Sequence, residues 1–144
     1  MTLQRGDAAD DEGSVLLLTL GYAVLAIVLV LVCVDATSLY LTQKRADAAA
    51  DAAALAGADG FVLTVAGGEA TARLTDAGVA DQAAQVIDVL GAAGGAVTLV
   101  SAGTPDGVSA RVTVQTVWHP PVLSIFVPDG WTIDATATSR TALR

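Results

Sequence analysis

The sequence predicts an α+β protein with a long N-terminal helix, a second helix and an antiparallel sheet of about three strands. Three observations predict it: an uninterrupted apolar run near the start, an alanine-rich continuation without proline, and alternating apolar residues in the last third. We divide the chain into an N-terminal segment (1–14), a transmembrane helix (15–34, the span), a helical stem (35–59) and a small α+β domain (60–144).

The span is predicted from its length and its composition. Val15 to Val34 are twenty residues without a charge, and fourteen of them are Leu, Ile or Val. A helix of that length covers about 30 Å, which matches the hydrocarbon core of a bilayer. At roughly −0.3 to −0.6 kcal/mol for each large aliphatic side chain, insertion gains on the order of 4 to 8 kcal/mol.

A cleaved secretory signal is the alternative interpretation, because Val34-Asp35-Ala36 loosely fits a small-x-small cleavage pattern. The run is longer than a typical signal core, and the residues before it are acidic rather than basic. Both features favour a retained membrane helix. Its orientation is left open by charge, since Arg5 on one side nearly balances Lys44 and Arg45 on the other.

The stem is predicted to continue the same helix. No proline or glycine follows the span until Gly57, and the residues between are good helix formers, so we expect helix from Val15 to Ala56 with Gly57 and Gly60 ending it. An alanine-lined face would let another helix approach closely, although a plain core helix would show the same pattern. That face comprises Leu41, Ala48, Ala52, Leu55 and Ala56.

The sequence after the stem predicts a second helix followed by strands. Apolar residues recur at steps of three and four from Asp76 to Leu90, with Gly91 as the predicted stop. The period then changes to two, which predicts a strand over 96–102, a turn at 104–107 and a second strand over 108–118. A third strand begins at Trp131.

An apolar segment lies between the last two predicted strands, where a loop is expected. It comprises Val122, Leu123, Ser124, Ile125, Phe126 and Val127. Such a segment either folds under the sheet as core or is presented to a partner or to the membrane surface.

The composition predicts no catalysis, no metal and no cofactor. His119 stands beside two prolines without a second histidine, Cys33 lies alone in the apolar run, and no serine has a base at a familiar spacing. A net charge of −8 and no basic cluster larger than Lys44-Arg45 exclude nucleic acid as a partner, because phosphates would be repelled.

Asp35 is the carboxylate with the strongest functional interpretation. It stands where the apolar run ends, so it could pair with a cation of a neighbouring chain. It could equally be a simple end marker of the membrane helix.

The N-terminal region resembles TadE/TadG-like proteins, which are accessory, pilin-like components of Tad (Flp, type IVb) pilus systems. The resemblance is carried by Glu12-Gly13-Ser14, the apolar run, Val34-Asp35, Leu39-Tyr40, Lys44-Arg45 and the alanine-rich block over 48–57. It covers about residues 12 to 60. The larger TadG-like proteins carry a von Willebrand-type domain for which this chain is too short, so it is more similar to a short TadE-type subunit.

The resemblance implies a minor pilin or pseudopilin of a pilus or related secretion machine, with a cytoplasmic N-terminus and the C-terminal domain outside. Its implied partners are other pilin subunits and pilus-assembly membrane proteins, contacted through packed helices. Candidate interface residues are Glu12, Asp35, Tyr40, Ala48, Ala52 and Leu55; the candidate partner loop is Val122, Leu123, Ile125 and Phe126.

Gly6 and Gly13 are candidate positions for cleavage by a prepilin peptidase. Such sites in pilins place Glu five residues after the cleaved glycine, whereas Asp11 and Leu18 stand at that distance here. A different function remains open from sequence alone, in which a single-pass anchor displays a small binding or adhesion domain.

Overall fold

The computed structural model describes residues 7–140, and its dominant element is one helix, α1, of 53 residues from Asp7 to Asp59. At 1.5 Å per residue α1 is about 80 Å long. The prediction of one continuous helix through the span and the stem is confirmed. Both ends lie further out than predicted, and Gly57 lies inside the helix instead of ending it.

Gly57 is needed for close packing rather than for a stop. A Cβ atom built at this position would lie 2.9 Å from Cγ1 of Val79 and 3.3 Å from Cβ of Ala110. Glycine therefore lets α1 approach a second helix and a strand at the same point. Gly60 does follow the last turn, and its N–H donates to the carbonyl of Gly57 at 3.3 Å.

A β-hairpin that the sequence analysis missed follows α1. It joins β1 (Val62–Ala66) to β2 (Glu69–Arg73), with Ala66 paired to Glu69 across the turn. Gly67 and Gly68 form that turn, both in the left-handed region with φ of 66° and 89°. A Gly-Gly pair between two short β-prone runs is a signal for this turn type and could have revealed the hairpin.

The second helix, α2 (Asp76–Ala92), confirms the predicted element. Thr75 caps its start, where the hydroxyl accepts the N–H of Gly78 at 3.2 Å. The predicted stop at Gly91 is wrong, because that residue lies in the last turn. The chain reverses at Gly94, whose φ of 90° is accessible to glycine at little cost.

The main sheet has three antiparallel strands in the order β3 (Val97–Gly103), β4 (Ser109–Trp118) and β5 (Trp131–Arg140). This confirms the predicted α+β class and the predicted hairpin between β3 and β4. The register shifts between Leu99 and Ser101, which marks a bulge in the edge strand β3.

Both helices pack on one face of this sheet. The stem half of α1 contacts β4 and β5, and α2 contacts β3 and α1. Alanines supply most of the stem side of the core, so the helix lies close to the sheet. The core comprises Ala46, Ala49, Ala50, Ala53, Ala54 and Ala58 of α1, Leu74 between β2 and α2, Val79, Ala83 and Ile87 of α2, and Ala110, Val112, Val114, Ala135 and Ala137 of the sheet.

The span half of α1 is exposed in the described structure, and only its last two turns lie beside another segment, at Val122 and Leu123. Its most apolar window of 18 residues has a mean hydropathy of 3.0 and is 0% buried. The helix is long and apolar enough to cross a membrane by length and composition.

Candidate assembly interface

The domain lies directly on the C-terminal end of the span. β4 runs antiparallel to the stem, with Ala110 beside Gly57 at one end. At the other end Nε1 of Trp118 donates to Oγ of Ser38 at 3.1 Å. Ser38 is only four residues past Val34, so the sheet covers the stem down to the point where the apolar run ends. Nothing in the sequence indicated this Trp118–Ser38 contact.

The stem has two faces with different environments. The face toward the sheet is the buried alanine row described above, and the opposite face, which we call the outer stem face, is exposed. The outer stem face consists of Leu41, Ala48, Ala52 and Leu55, whose spacings of seven, four and three place them on one side of a helix. The side chains of Leu41 and Leu55 are 48% and 59% exposed.

The structure therefore combines the two interpretations of the alanine-rich stem. One row of alanines belongs to the protein's own core, as in a plain core helix. A second row, with Ala48, Ala52 and Leu55 from the candidate interface, is left uncovered in the described structure. Small residues on an uncovered helix face permit close approach of another helix.

Tyr40 lies at the edge of the outer stem face and is 61% exposed. The Lys44 ammonium stands 5.9 Å from the centre of its ring and 3.3 Å from Oδ2 of Asp47. Both contacts are at the surface, where each contributes no more than about 1 kcal/mol. Tyr40 is therefore available for contact with another chain.

Asp35 is buried, unlike the other described members of the candidate interface. Its side chain is 8% exposed, and its Oδ1 accepts the backbone N–H of Val122 at 3.0 Å. This carboxylate is thus hydrogen-bonded within its own chain. A contact with a neighbouring chain's cation stays a prediction.

The apolar segment between β4 and β5 is presented rather than buried. Ile125 and Phe126 are 86% and 80% exposed, so its interpretation as core is wrong. The physical reason is local: Pro120 is buried and Val122 is held by Asp35, so the segment turns back beside the end of the span instead of under the sheet. The N–H groups of Phe126 and Val127 donate to the carbonyl of Leu123 and close this turn.

The candidate processing positions are placed only in part. Gly13 lies within α1, and a Cβ atom built there would meet nothing within 4 Å. Gly6 lies outside the described residues. Glu12 lies in α1, but its side chain is outside the described part of the chain, so cleavage and a role for Glu12 both stay predictions.

Groups that could carry chemistry do not converge in the described part of the chain. Among the side chains that the structure describes, no three of His, Cys, Asp or Glu lie close enough together to hold a metal ion. Cys33 is an exposed free thiol on the span, and His119 is exposed next to the buried Pro120. The described side chains therefore form no catalytic or metal-binding cluster, and the candidate functional site is a surface.

Asp106 has the most organised carboxylate of the domain, and its role is structural. Its Oδ1 accepts the N–H groups of Val108 and Ser109 at 3.0 and 2.6 Å, and its Oδ2 accepts the Ser109 hydroxyl at 2.9 Å. The Val108 N–H is the largest cause that lowers the pKa of Asp106 below its ordinary 3.8, followed by the two Ser109 donors. The charged form therefore stabilises the turn between β3 and β4.

Comparison with known proteins finds one family that is similar to a third of the chain, near its N-terminus. The sequence model of the family described as "Putative Flp pilus-assembly TadE/G-like" matches residues 13–60, which are the span and the stem. No curated protein and no solved structure gives a match. The segment that matches is the one that carries the outer stem face and Asp35. Residues 13–60 of this protein are thus similar to the TadE/G-like proteins of Flp pilus assembly.

Proposed function

We propose that this protein is an accessory, pilin-like subunit, a minor pilin or pseudopilin, of a Tad/Flp-type pilus or a related secretion machine. The span holds it in the cell membrane with residues 1–14 in the cytoplasm and the domain over 60–144 outside, whether or not it enters the filament. Its partners are other pilin subunits and pilus-assembly membrane proteins.

The uncovered outer stem face carries this proposal. It lies within the segment that matches the pilus-assembly family, and it continues without a break into the exposed span. One helix thus offers a contact surface from inside the bilayer to the far end of the domain. Its small residues, Ala48 and Ala52, permit close backbone approach of a helix from another subunit.

Photo-cross-linking in the membrane tests the proposal. The full chain is expressed with its pilus machinery and carries a photoreactive residue at Ala52 or Tyr40. A matched control carries it at Val89, which is 69% exposed on α2 and lies off the stem. We expect Ala52 and Tyr40 to capture pilins or membrane proteins of the machinery, with Val89 capturing several-fold less.

Cross-links to lipid alone from the stem positions, with no protein captured, would contradict an assembly role. The protein would then be a single-pass anchor that displays a small binding or adhesion domain. Equal capture at Val89 and Ala52 would also contradict the proposal that the outer stem face is the contact surface, since capture would not depend on that face.

A further inference from the structure

The connection between β4 and β5, residues 119–130, lies at the membrane end of the domain. Two hydrogen bonds fix it there: Trp118 donates to Ser38 at 3.1 Å, and the Val122 N–H donates to Asp35 at 3.0 Å. Asp35 is the first residue after the span. The start of this connection is therefore held at the depth where the apolar run ends.

The same connection extends along the span itself. Val122 and Leu123 line an almost entirely apolar groove together with Val28, Leu31 and Val32 of α1. Val28 precedes Asp35 by seven residues, or about 10 Å along the helix. The groove thus reaches from the boundary at Asp35 back beside the last two turns of the apolar run.

The tip of the connection is apolar and exposed, as expected of a segment that inserts into a membrane. Between Trp118 and Asp129 the only ionisable side chain is His119, and Ile125 and Phe126 are almost fully exposed. The turn closed by Leu123 satisfies the N–H groups of Phe126 and Val127 internally, which lowers the cost of moving this backbone out of water. Trp131, which is 69% exposed, pairs with Trp118 at the base of the connection. Tryptophans at this level are typical of a membrane interface.

We propose that the segment 122–127 inserts Ile125 and Phe126 into the bilayer leaflet next to the C-terminal end of the span. The segment then fixes the domain against the membrane surface beside its own transmembrane helix. The attraction is apolar rather than electrostatic, because no Lys or Arg occurs between Arg111 and Arg140 and the chain carries a net charge of −8. The inference rests on the membrane placement of α1 and is independent of assembly with other subunits.

Depth-dependent quenching in phosphatidylcholine nanodiscs tests this insertion. The full chain, with Cys33→Ala to remove the native thiol, carries an environment-sensitive NBD label at Phe126→Cys. A matched control carries the label at Val65→Cys, which is 71% exposed in β1 beyond the far end of α1. A second control carries it at Leu29→Cys within the span. Lipids with a nitroxide at a shallow or a deep acyl position act as quenchers.

We expect the label at position 126 to be quenched several-fold more than at position 65, and more strongly by the shallow nitroxide. The label at position 29 should respond more to the deep nitroxide. Quenching at 126 no greater than at 65, with strong quenching at 29, overturns the inference while leaving the transmembrane helix in place. A blue-shifted label at 126 without nitroxide quenching also overturns it, since a second copy of the chain would then cover the segment. A label at 29 that is not quenched removes the membrane placement and the inference with it.

Discussion

At the scale of single residues, Asp35 and Asp106 show two uses of a carboxylate that accepts backbone N–H groups. Asp35 joins the end of the span to the connection between β4 and β5. Asp106 organises a turn at the opposite end of the same sheet. In both cases the hydrogen bonds that the carboxyl oxygen accepts from the backbone hold a loop in one conformation.

Replacement of Asp35 should loosen the connection without unfolding the domain. Removing one partner of a hydrogen bond costs about 1–3 kcal/mol, so Asp35→Ala should speed amide exchange at Val122 by about fivefold or more. Asp35→Asn keeps an acceptor oxygen and serves as the control, with a smaller effect. Hydrogen exchange followed by mass spectrometry measures both, and unchanged protection of 119–130 in Asp35→Ala would show that this contact does not hold the connection.

The turn at Asp106 should give the domain a dependence on acid pH. The folded pKa of Asp106 lies below its ordinary 3.8, so the stabilisation is fully present above that pH and is lost as the pH falls through the lower folded pKa. Asp106→Asn should lower the melting temperature at pH 7. The difference in melting temperature between the variant and the wild type should become smaller as the pH falls below about 4. Circular dichroism melts at pH 7, 4 and 3 measure this, and a difference that is constant with pH would contradict it.

At the scale of elements, α1 is shaped by glycine and alanine at the positions where it meets the sheet and α2. Gly57 stands where three elements converge, and Gly91 stands in the last turn of α2, where an added Cβ atom would meet nothing within 4 Å. The same substitution at the two positions therefore separates packing from helix propensity.

Gly57→Ala should destabilise the domain, whereas Gly91→Ala should not. Overpacking at Val79 and Ala110 costs about 1–3 kcal/mol and outweighs the gain of up to about 1 kcal/mol from better helix propensity. Gly91→Ala should show only the gain, about 0.5–1 kcal/mol. Urea titration of the full chain in detergent, followed by tryptophan fluorescence, measures both, and equal stabilisation by the two changes would mean that Gly57 is not at a close contact.

At the scale of the whole molecule, the protein consists of a folded domain and an uncovered helix that share one element. The core uses only the stem half of α1, and the span contributes no buried residue before Asp35 within the described part. The domain should therefore fold without the span.

A fragment comprising residues 35–144 should unfold in one cooperative transition, because it keeps every buried residue of the core. Thermal melting by circular dichroism and by tryptophan fluorescence should give coincident curves. A fragment that melts without cooperativity would show that the span supports the domain, and the division at residue 35 would fail.

The elements that could be predicted from the sequence are those with a clear hydrophobic period. The continuous helix, α2 and the three strands followed from hydrophobic period and length, because the period of apolar residues differs between helices and strands. The prediction of Gly57 as a stop was wrong, and the choice between a buried and a presented segment at Ile125 and Phe126 was left open, for one reason. A glycine that ends a helix and one that permits a close contact are indistinguishable in sequence, and so are an apolar segment that is buried and one that is presented.

The sequence by itself determined that this protein has an apolar helix long enough for a membrane, an α+β domain after it, and a segment over 13–60 that is similar to TadE/G-like pilus-assembly proteins. Only the tertiary structure decided which alanines of the stem belong to the core and which remain on the outer stem face. It also decided that Asp35 holds the connection from β4 to β5 beside the span. The physical reason is that periodicity fixes the faces of a helix, whereas contacts between residues such as Asp35 and Val122, 87 positions apart, depend on how the elements pack.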